Sequence, residues 1–284
     1  MQTIASRITY RRMGEDDLRA AHALSQAVGW PHRLEDWQFV LRLGVGFLAE
    51  QDGEVVGTGL CWKHGERHAS LGLIIVSPQH QGKGIGREVM ALILAELGER
   101  RTLLNATPAG QPLYARLGFA PIGSVHQHQG TMLAAAPAPL AAGERIRPLQ
   151  ADDTAALIKL AGRAAGMPRA SALAQLFTIA DCNVLERDGE PAGFSIMRRF
   201  GRGHAIGPVV APDSERAMAL IADWTGTHAG SFVRIDVTAT GGLENSLEQI
   251  GLAKVDTVTV MARNGQPAPE EAVRQFAIIN QALC

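Results

Sequence analysis

The sequence predicts an α/β protein in which one fold occurs twice along the chain. Three observations predict it: an apolar strand that leads through a glycine loop into a helix, a pair of Asp-Gly hairpin turns, and a repeat of about 135 residues. A chain of 284 residues is long enough for two ordinary domains, each with a buried core.

The opening elements of the two copies match in order and in turn chemistry. Each copy begins with a short strand and an aspartate suited to start a helix, at Ile8–Leu18 and at Ile146–Thr154. A hairpin with Asp-Gly at its turn follows, at Phe47–Gly57 and at Asn183–Gly193. This shared order indicates that the second half repeats the first.

The later elements match as well. Each copy has an apolar strand that ends before a proline, a second strand, and a turn with a glycine at its centre; these are Leu71–Val76 with Ile206–Ala211, Leu104–Thr107 with Ile235–Thr238, and Leu117–Phe119 with Ile250–Leu252. An alanine- and proline-rich stretch between the copies is typical of a linker. The predicted domains are therefore residues 1–133 and 145–284, with a linker at 134–144.

The composition argues against several classes of function. The net charge of −1 and the pI near 6.8 do not favour general binding to nucleic acid or to anionic membranes. No apolar run is long enough for a membrane span, and Met1–Arg7 does not have the pattern of a secretion signal. Cys61, Cys182 and Cys284 are too few and too far apart for a disulfide framework or a metal knuckle. We expect a cytoplasmic protein.

A glycine loop, Gln81–Gly86, joins the apolar strand Leu71–Val76 to a helical segment, Arg87–Leu97. Glycines permit positive φ angles and let a ligand approach the main chain closely. The first amides of a helix have no intrahelical acceptor, and the helix dipole favours negative charge beside them. The sequence therefore predicts a site for a phosphorylated ligand.

Two common phosphate-binding loops do not fit this spacing. A P-loop needs Gly-Lys-Ser/Thr at its end, but Lys83 lies between glycines and no Ser or Thr follows. The dinucleotide fingerprint needs Gly-x-Gly-x-x-Gly, and Gly82, Gly84 and Gly86 are one residue too close together. The loop instead resembles Gln/Arg-x-x-Gly-x-Gly/Ala, the pyrophosphate loop of the GCN5-related N-acetyltransferases (GNAT), with Pro78 before it.

A second motif supports the same resemblance. Leu103–Phe119 is similar to that family's later strand, loop, short helix and closing Tyr-x-x-Leu-Gly-Phe, in which Tyr114 is the tyrosine. In such enzymes the tyrosine hydroxyl protonates the departing thiolate of the coenzyme. An ordinary tyrosine pKa of about 10 keeps that proton in place at neutral pH. The resemblance implies that Tyr114 is the catalytic acid; packing of a helix onto the sheet is the alternative interpretation.

The resemblance also implies a fold and a set of residues that bind acetyl-CoA, the co-substrate, without a metal. Each domain would be a mixed, mostly antiparallel sheet flanked by helices, and the first sheet would splay between strands that end near Val76 and Ala106. Ile74, Ile75 and Val76 would offer backbone groups to the pantetheine arm, as an added strand does. The pyrophosphate would lie against Gln81, Gly82, Lys83, Gly84, Ile85, Gly86 and Arg87, although solvation alone explains the charges of Lys83 and Arg87 equally well.

The second copy lacks these features. After Pro212 it continues as Asp213–Met218, with no glycine loop and with acidic residues that would repel a pyrophosphate. Leu247 takes the position of Tyr114. We therefore expect a degenerate GNAT-like domain that packs against the first, shapes the acceptor pocket or binds another ligand.

The whole arrangement resembles a group of bacterial tandem acetyltransferases with an active first domain and a reduced second one. Gly29–Trp37 is similar to that group's Gly-Trp…Asp-Trp segment, and Ala106–Gly110 is similar to its Ala-Thr-Pro-x-Gly loop. Asn105 stands where that group often has an aspartate, so an acid's role there cannot be carried over to this chain.

Several residues have open roles. A general base for the acceptor amine could be Glu66 or His68, or one of His126 and His128, which would share one face of a strand; a solvated strand and water relays to a distant carboxylate are the alternatives. Trp30 and Trp37 would share a helical face and either line the acceptor pocket or anchor the core. Asp236 stands at a strand end, as a turn cap or a ligand contact.

The leading hypothesis is an N-acetyltransferase that acts on the amine of a small-molecule or amino-acid-like acceptor. A protein amine as acceptor is a variant of it. The alternative from another class is a CoA-ester sensor without turnover, but a sensor has no use for a thiolate acid such as Tyr114. Because the second copy could replace a partner subunit, we expect a monomer or a weak homodimer.

Overall fold

A thirteen-stranded sheet runs continuously through both repeats in the computed structural model, which describes residues 7–284. The expectation about a secretion signal falls largely on residues 1–6, outside that range. The first half contains strands β1 Thr9–Arg12, β2 Val45–Gln51, β3 Glu54–His64, β4 His68–Val76, β5 Arg101–Ala106 and β6 Ala120–Thr131, with helices α1 Leu18–Ala27, α2 Leu34–Leu43, α3 Ile85–Leu97 and α4 Gln111–Arg116.

The second half repeats this order. It contains strands β7 Glu144–Pro148, β8 Asp181–Arg187, β9 Glu190–Phe200, β10 Gly203–Ala211, β11 Phe232–Thr238, β12 Ala253–Arg263 and β13 Arg274–Ala277, with helices α5 Thr154–Ala165, α6 Ala170–Ile179, α7 Ser214–Asp223, α8 Thr225–His228 and α9 Glu244–Gln249. The sheet is mostly antiparallel with helices packed on it, as predicted. The segment between Thr131 and Glu144 has neither helix nor strand.

The two predicted hairpins are confirmed with their turns. Asp52 and Gly53 have φ angles of 54° and 83°, and Asp188 and Gly189 have φ angles of 52° and 88°. Two consecutive residues with positive φ form the tight turn whose twist matches a β-hairpin. The Asp-Gly pairs therefore fix the same β2–β3 and β8–β9 hairpins in both halves.

The two halves exchange their last long strands. β12 lies between β5 and β6, and β6 lies between β12 and β11. Val260 of β12 pairs with Asn105 of β5, and His126 of β6 pairs with Val237 of β11. Each half therefore completes the sheet of the other, and the strands at the centre have no unpaired edge.

One parallel strand pair in each half separates along its length. β4 and β5 pair at three positions, which begin at His68 with Arg101, and then diverge. β10 and β11 also pair at three positions, from His204 with Val233 onward. In the second half β13 enters the gap and pairs with both neighbours through Ala277. The first half leaves the gap open.

The core on one side of the first half is organised by α3. Val89, Met90, Ile93 and Leu97 are fully buried and recur at helical spacing, so one face of the helix packs on the sheet. This packing fixes the N-terminus of α3 beside the end of β4.

The buried side chain of His64 makes stability depend on pH. Its Nε2 lies 2.9 Å from the Ser70 hydroxyl oxygen, and burial, with Arg169 and His68 nearby, lowers the pKa of His64 to about 3. In the unfolded chain a histidine has a pKa of about 6.5, so the unfolded state takes up a proton that the folded state excludes. Stability therefore falls as pH falls below about 6.5, and His64 contributes about 2 kcal/mol of that loss by pH 5.

His64→Gln should accordingly lose about 2 kcal/mol less stability than the wild type between pH 7 and pH 5. The measurement is denaturant unfolding at both pH values. His80→Gln, on a half-buried loop position, is the matched control and should follow the wild-type dependence. An unchanged acid dependence in His64→Gln would contradict the assignment.

Candidate functional site

The glycine loop forms the N-terminus of α3 as predicted. Gly82 and Gly84 have φ angles of 77° and 83°, and Gly84 is the N-cap residue of the thirteen-residue helix. The first main-chain bonds of the helix run from Arg87 and Glu88 to the Gly84 carbonyl. A Cβ on Gly82 or Gly84 would meet no other atom of residues 7–284 within 4 Å, so open space surrounds the loop amides. This arrangement suits a phosphate group.

The strand that leads to the loop carries a bulge. Leu73 and Ile74 lie opposite the single residue Gly59, and Leu73 has a φ angle of 54°. The Thr58 hydroxyl donates to the Leu73 carbonyl at 3.0 Å and holds the bulge in place. The bulge re-aims the backbone at the point where β4 leaves β5. Sequence reasoning missed it, although the interior glycine Gly72 is the usual signal.

The tail after β13 closes the inner end of the gap between β4 and β5. A Cβ on Gly72 would stand 2.9 Å from the Cα of Ala282, so the two backbones are in close contact. Asn105 at the end of β5 donates through Nδ2 to the Gln281 carbonyl at 2.9 Å. Its Oδ1 is buried and accepts no hydrogen bond from the described residues. This buried oxygen therefore has room for a hydrogen-bond donor from outside the chain.

Tyr114 lies on α4 and faces the same gap. Its side chain is 8% exposed, and burial raises the pKa of Tyr114 to about 12. The ring packs edge-on against Phe119 at 6.2 Å between centroids, and Gly110 admits it because a Cβ there would approach Cε2 within 2.9 Å. The hydroxyl forms no hydrogen bond within residues 7–284 and is held as a neutral donor.

One cavity of about 1210 Å³ joins these features. Every predicted site residue lines it, namely Ile74, Ile75, Val76, Gln81, Gly82, Lys83, Gly84, Ile85, Gly86, Arg87 and Tyr114. At the other end the cavity is lined by Trp30, which the sequence had suggested for the acceptor pocket, and by residues that the sequence did not indicate, chiefly Phe200, Arg202, Arg234 and Asp256. These last four residues belong to the second half of the chain.

None of the candidate bases lies in this cavity. Glu66 and His68 stand before or at the start of β4, at the end remote from Val76. His126 and His128 do share one face of β6, but Gln127 and Gln129 on the other face line the cavity. His126 instead contacts Glu244 at 3.1 Å, and the ring of His128 donates to the Leu252 carbonyl. None of these four groups is therefore a wall residue of the cavity.

The expectation that Trp30 and Trp37 share a helical face is wrong. Trp30 precedes α2 and lines the cavity, whereas Trp37 lies within α2, is 1% exposed and donates to the Ser25 hydroxyl. Pro31 separates the two segments. Asp236 is no turn cap either, because it lies within β11 and holds Arg234 through two nitrogens at 2.9 and 3.0 Å.

At the matching positions the second half has neither the glycine loop, nor the tyrosine, nor the open gap between parallel strands. The Asp213 carboxylate accepts from the Arg216 amide at 2.9 Å and so caps α7, where the first half has its glycine loop. Leu247 is fully buried in the place of Tyr114. β13 fills the gap between β10 and β11. A ligand bound like one in the first half would collide with β13.

Residues 7–284 show neither a cluster of metal ligands nor a membrane-spanning helix. No group of three or more His, Cys, Asp or Glu side chains is arranged to hold a metal ion. No described helix is both long enough and apolar enough to cross a bilayer. The three cysteines are free and buried, and burial raises the thiol pKa of Cys61 and Cys182 to about 12.

Comparison with known proteins agrees with the geometry. The Acetyltransferase (GNAT) family model matches residues 13–119, and an Acetyltransferase (GNAT) domain model matches residues 157–277. The uncharacterized N-acetyltransferase YitH of Bacillus subtilis (strain 168) is 26% identical over 279 residues, which are 96% of this chain and 97% of that protein.

Solved structures share the complete architecture. A provisionally assigned acetyltransferase from Pyrococcus horikoshii aligns over 100% of this chain and 99% of its own, with 19% identity and a TM-score of 0.80. A tandem GNAT protein from the clavulanic acid biosynthesis pathway aligns over 93% of this chain and 100% of its own, with 14% identity and a TM-score of 0.65. The chain therefore belongs to the GCN5-related N-acetyltransferases, as an acyltransferase built from two GNAT domains in tandem.

Proposed function

We propose that the protein transfers the acetyl group of acetyl-CoA to the amine of a small molecule. The observation that carries the proposal is that one cavity is lined by the glycine loop, by the diverging end of β4 and by Tyr114. These elements match the parts of acetyl-CoA in order: pyrophosphate, pantetheine and thioester. The remaining end of the cavity is left for the acceptor.

The loop suits the pyrophosphate through backbone and charge together. The amides at the start of α3 have no intrahelical acceptor, and the helix dipole adds partial positive charge. Lys83, Arg87 and Arg116 line the same end of the cavity. Beyond the bulge, Ile74 to Val76 have lost β5 as a partner, so their free edge suits the amides of the pantetheine arm.

Transfer needs a neutral amine and an acid for the thiolate. The amine nitrogen attacks the thioester carbonyl carbon, the carbon–sulfur bond breaks, and the Tyr114 hydroxyl gives its proton to sulfur. The proton that the amine nitrogen loses then returns the Tyr114 phenolate to its neutral form. Burial raises the pKa of Tyr114, and burial raises that of a thiol in the same direction, as Cys182 illustrates. The proton therefore moves between two groups that the cavity keeps neutral. The Asn105 Oδ1 is placed to accept an N–H at the end of β5.

The proposal includes a monomer that acts in the cytoplasm. The exchange of β6 and β12 within one chain completes both sheets without a second subunit. The buried free thiols agree with a reducing compartment.

Tyr114→Phe tests the catalytic acid. It removes one oxygen from a packed ring, so we expect wild-type binding of acetyl-CoA by calorimetry and a fall in kcat of roughly 100-fold or more. Turnover is measured as thiol release with a panel of amines. A wild-type protein that binds acetyl-CoA but releases no thiol with any amine would favour the sensor. Full activity in Tyr114→Phe would contradict the role of Tyr114.

Gly84→Ala tests the loop. The added methyl would stand in open space outside the loop at a φ angle of 83°, so it costs about 1 kcal/mol of strain and crowds a bound phosphate. We expect the Kd for acetyl-CoA to rise at least tenfold.

Gly98→Ala is the matched control for this variant. Gly98 ends the same helix at a φ angle of 61°, and a Cβ added there also stands in open space. Because its ψ angle of −137° suits glycine almost alone, the variant should lose at least as much stability and keep the wild-type Kd. Equal affinities in the two variants would show that the loop holds no phosphate.

A further inference from the structure

Arginines of the second half converge on the acceptor end of the cavity. Arg202 stands just before β10, and its guanidinium lies 4.8 Å from the centre of the Phe232 ring. Arg234, two residues after Phe232 on β11, lies 5.7 Å from the centre of the Phe200 ring. Both arginines and Phe200 line the cavity. Aromatic rings thus hold two cations at one wall.

A third arginine stands behind this wall. Arg198 is 4% exposed, its guanidinium lies 4.6 Å from the Phe200 ring, and its nearest carboxylate oxygen, on Asp36, is 3.8 Å away. Asp36 is already bound by Arg33 at 2.8 Å. The Nε of Arg198 has no hydrogen-bond acceptor among the described residues.

The carboxylates nearby do not balance these cations. Asp236 neutralises Arg234 through Nε and Nη2, which leaves Nη1 free. Asp36 is shared between Arg33 and Arg198, and Arg202 has no carboxylate within 4.0 Å in residues 7–284. Asp256 faces the cavity from β12 and offsets part of the excess. Four arginines therefore face three aspartates, and one positive charge remains.

A partly buried histidine lies beside the same wall. His32 lies with its ring 5.6 Å from that of Phe200 and lines the cavity. Burial lowers the pKa of His32 to about 4; the charge of Asp36 opposes this shift, and smaller contributions from Arg234 and Arg198 add to it. His32 is therefore neutral at neutral pH and adds no charge to the acceptor end of the cavity.

We propose that Arg202 and Arg234 bind a carboxylate of the acceptor, so that the substrate is an amine that also carries an acid group. This inference rests on the proposed acetyl transfer. A single excess positive charge suits a monoanion, whereas Asp236 and Asp256 would repel a dianion such as a phosphate monoester. The recognition site belongs to the second domain, although the acetyl-CoA site belongs to the first.

The reacting amine lies at some distance from these guanidinium groups. The Asn105 amide donates to the Gln281 carbonyl, the Gln281 side chain donates to Asp236 at 3.1 Å, and Asp236 holds Arg234. One glutamine residue therefore spans from the end of β5 to the carboxylate of the ion pair. Acceptors with several bonds between amine and acid match this span better than compact α-amino acids.

The test compares amines that differ only in the acid group. The probes are 6-aminohexanoate, its amide and pentylamine, and L-lysine, lysinamide and cadaverine, each with acetyl-CoA and thiol release as the readout. We expect the acid of each set to have at least tenfold higher kcat/KM than its amide or its decarboxylated form.

Glutamine substitutions at two positions, Arg202 and Arg234, tie this preference to the arginines, and Arg202→Lys tests the charge alone. Arg202→Gln leaves no buried partner behind, so it should fold normally and raise the KM for the acid at least tenfold, with the KM for acetyl-CoA unchanged. Arg234→Gln should raise the KM for the acid further, again with the KM for acetyl-CoA unchanged. Arg202→Lys should restore part of the affinity for the acid that Arg202→Gln loses. Arg145→Gln, on an exposed residue paired with Glu186 at the far side of the sheet, is the control and should match the wild type.

The outcomes separate the two proposals. Absence of acetyl-CoA binding by calorimetry would overturn the proposed function. With binding intact, the acid-group inference is overturned if amides or simple amines react as well as the acids, if no acid reacts, or if both variants keep the wild-type preference.

Discussion

The pairing of β6 with β12 at the centre of the sheet is the constraint on which the rest of the structure depends. Because each of these strands also pairs with the other half, the backbone hydrogen bonds at the junction cannot be satisfied by one domain alone. Gln127 of β6, Asp256 of β12 and Arg234 of β11 consequently lie around one cavity. A domain without a glycine loop thereby remains part of the binding site.

The hairpin turns, the glycine loop and the segment around Tyr114 could be predicted from the sequence, because each depends on residues close together in the chain. Asp52-Gly53 can form only a few turn types, and the loop from Gln81 to Gly86 combines glycine freedom with a helix start, so both fixed their structures within a few residues. Tyr114 was predicted through the resemblance of its segment to the family motif Tyr-x-x-Leu-Gly-Phe. Each of these predictions uses residues that are neighbours in the chain, where sequence spacing determines geometry.

The rest depends on contacts between distant residues. Alternation in β6 placed His126 and His128 on one face, but which face looks into the cavity is decided by β12 and by the tail that packs there. The exchange of β6 and β12 cannot be predicted from their residue patterns, because the alternation of buried and exposed residues in a strand is the same beside either partner. The separation of Trp30 from Trp37 could have been found, because Pro31 interrupts the helical spacing.

β13 fills the gap between the parallel strands β10 and β11, whereas the matching gap between β4 and β5 stays open. In the second half the chain supplies its own strand, so that seam is sealed in every folded molecule. In the first half β4 and β5 diverge after three paired positions, and no strand of residues 7–284 lies between them. A ligand bound along this open edge would bind the folded chain alone and would raise its resistance to unfolding by mass action. The stability of the first half would then follow the concentration of that ligand, whereas the seam of the second half closes when the chain folds.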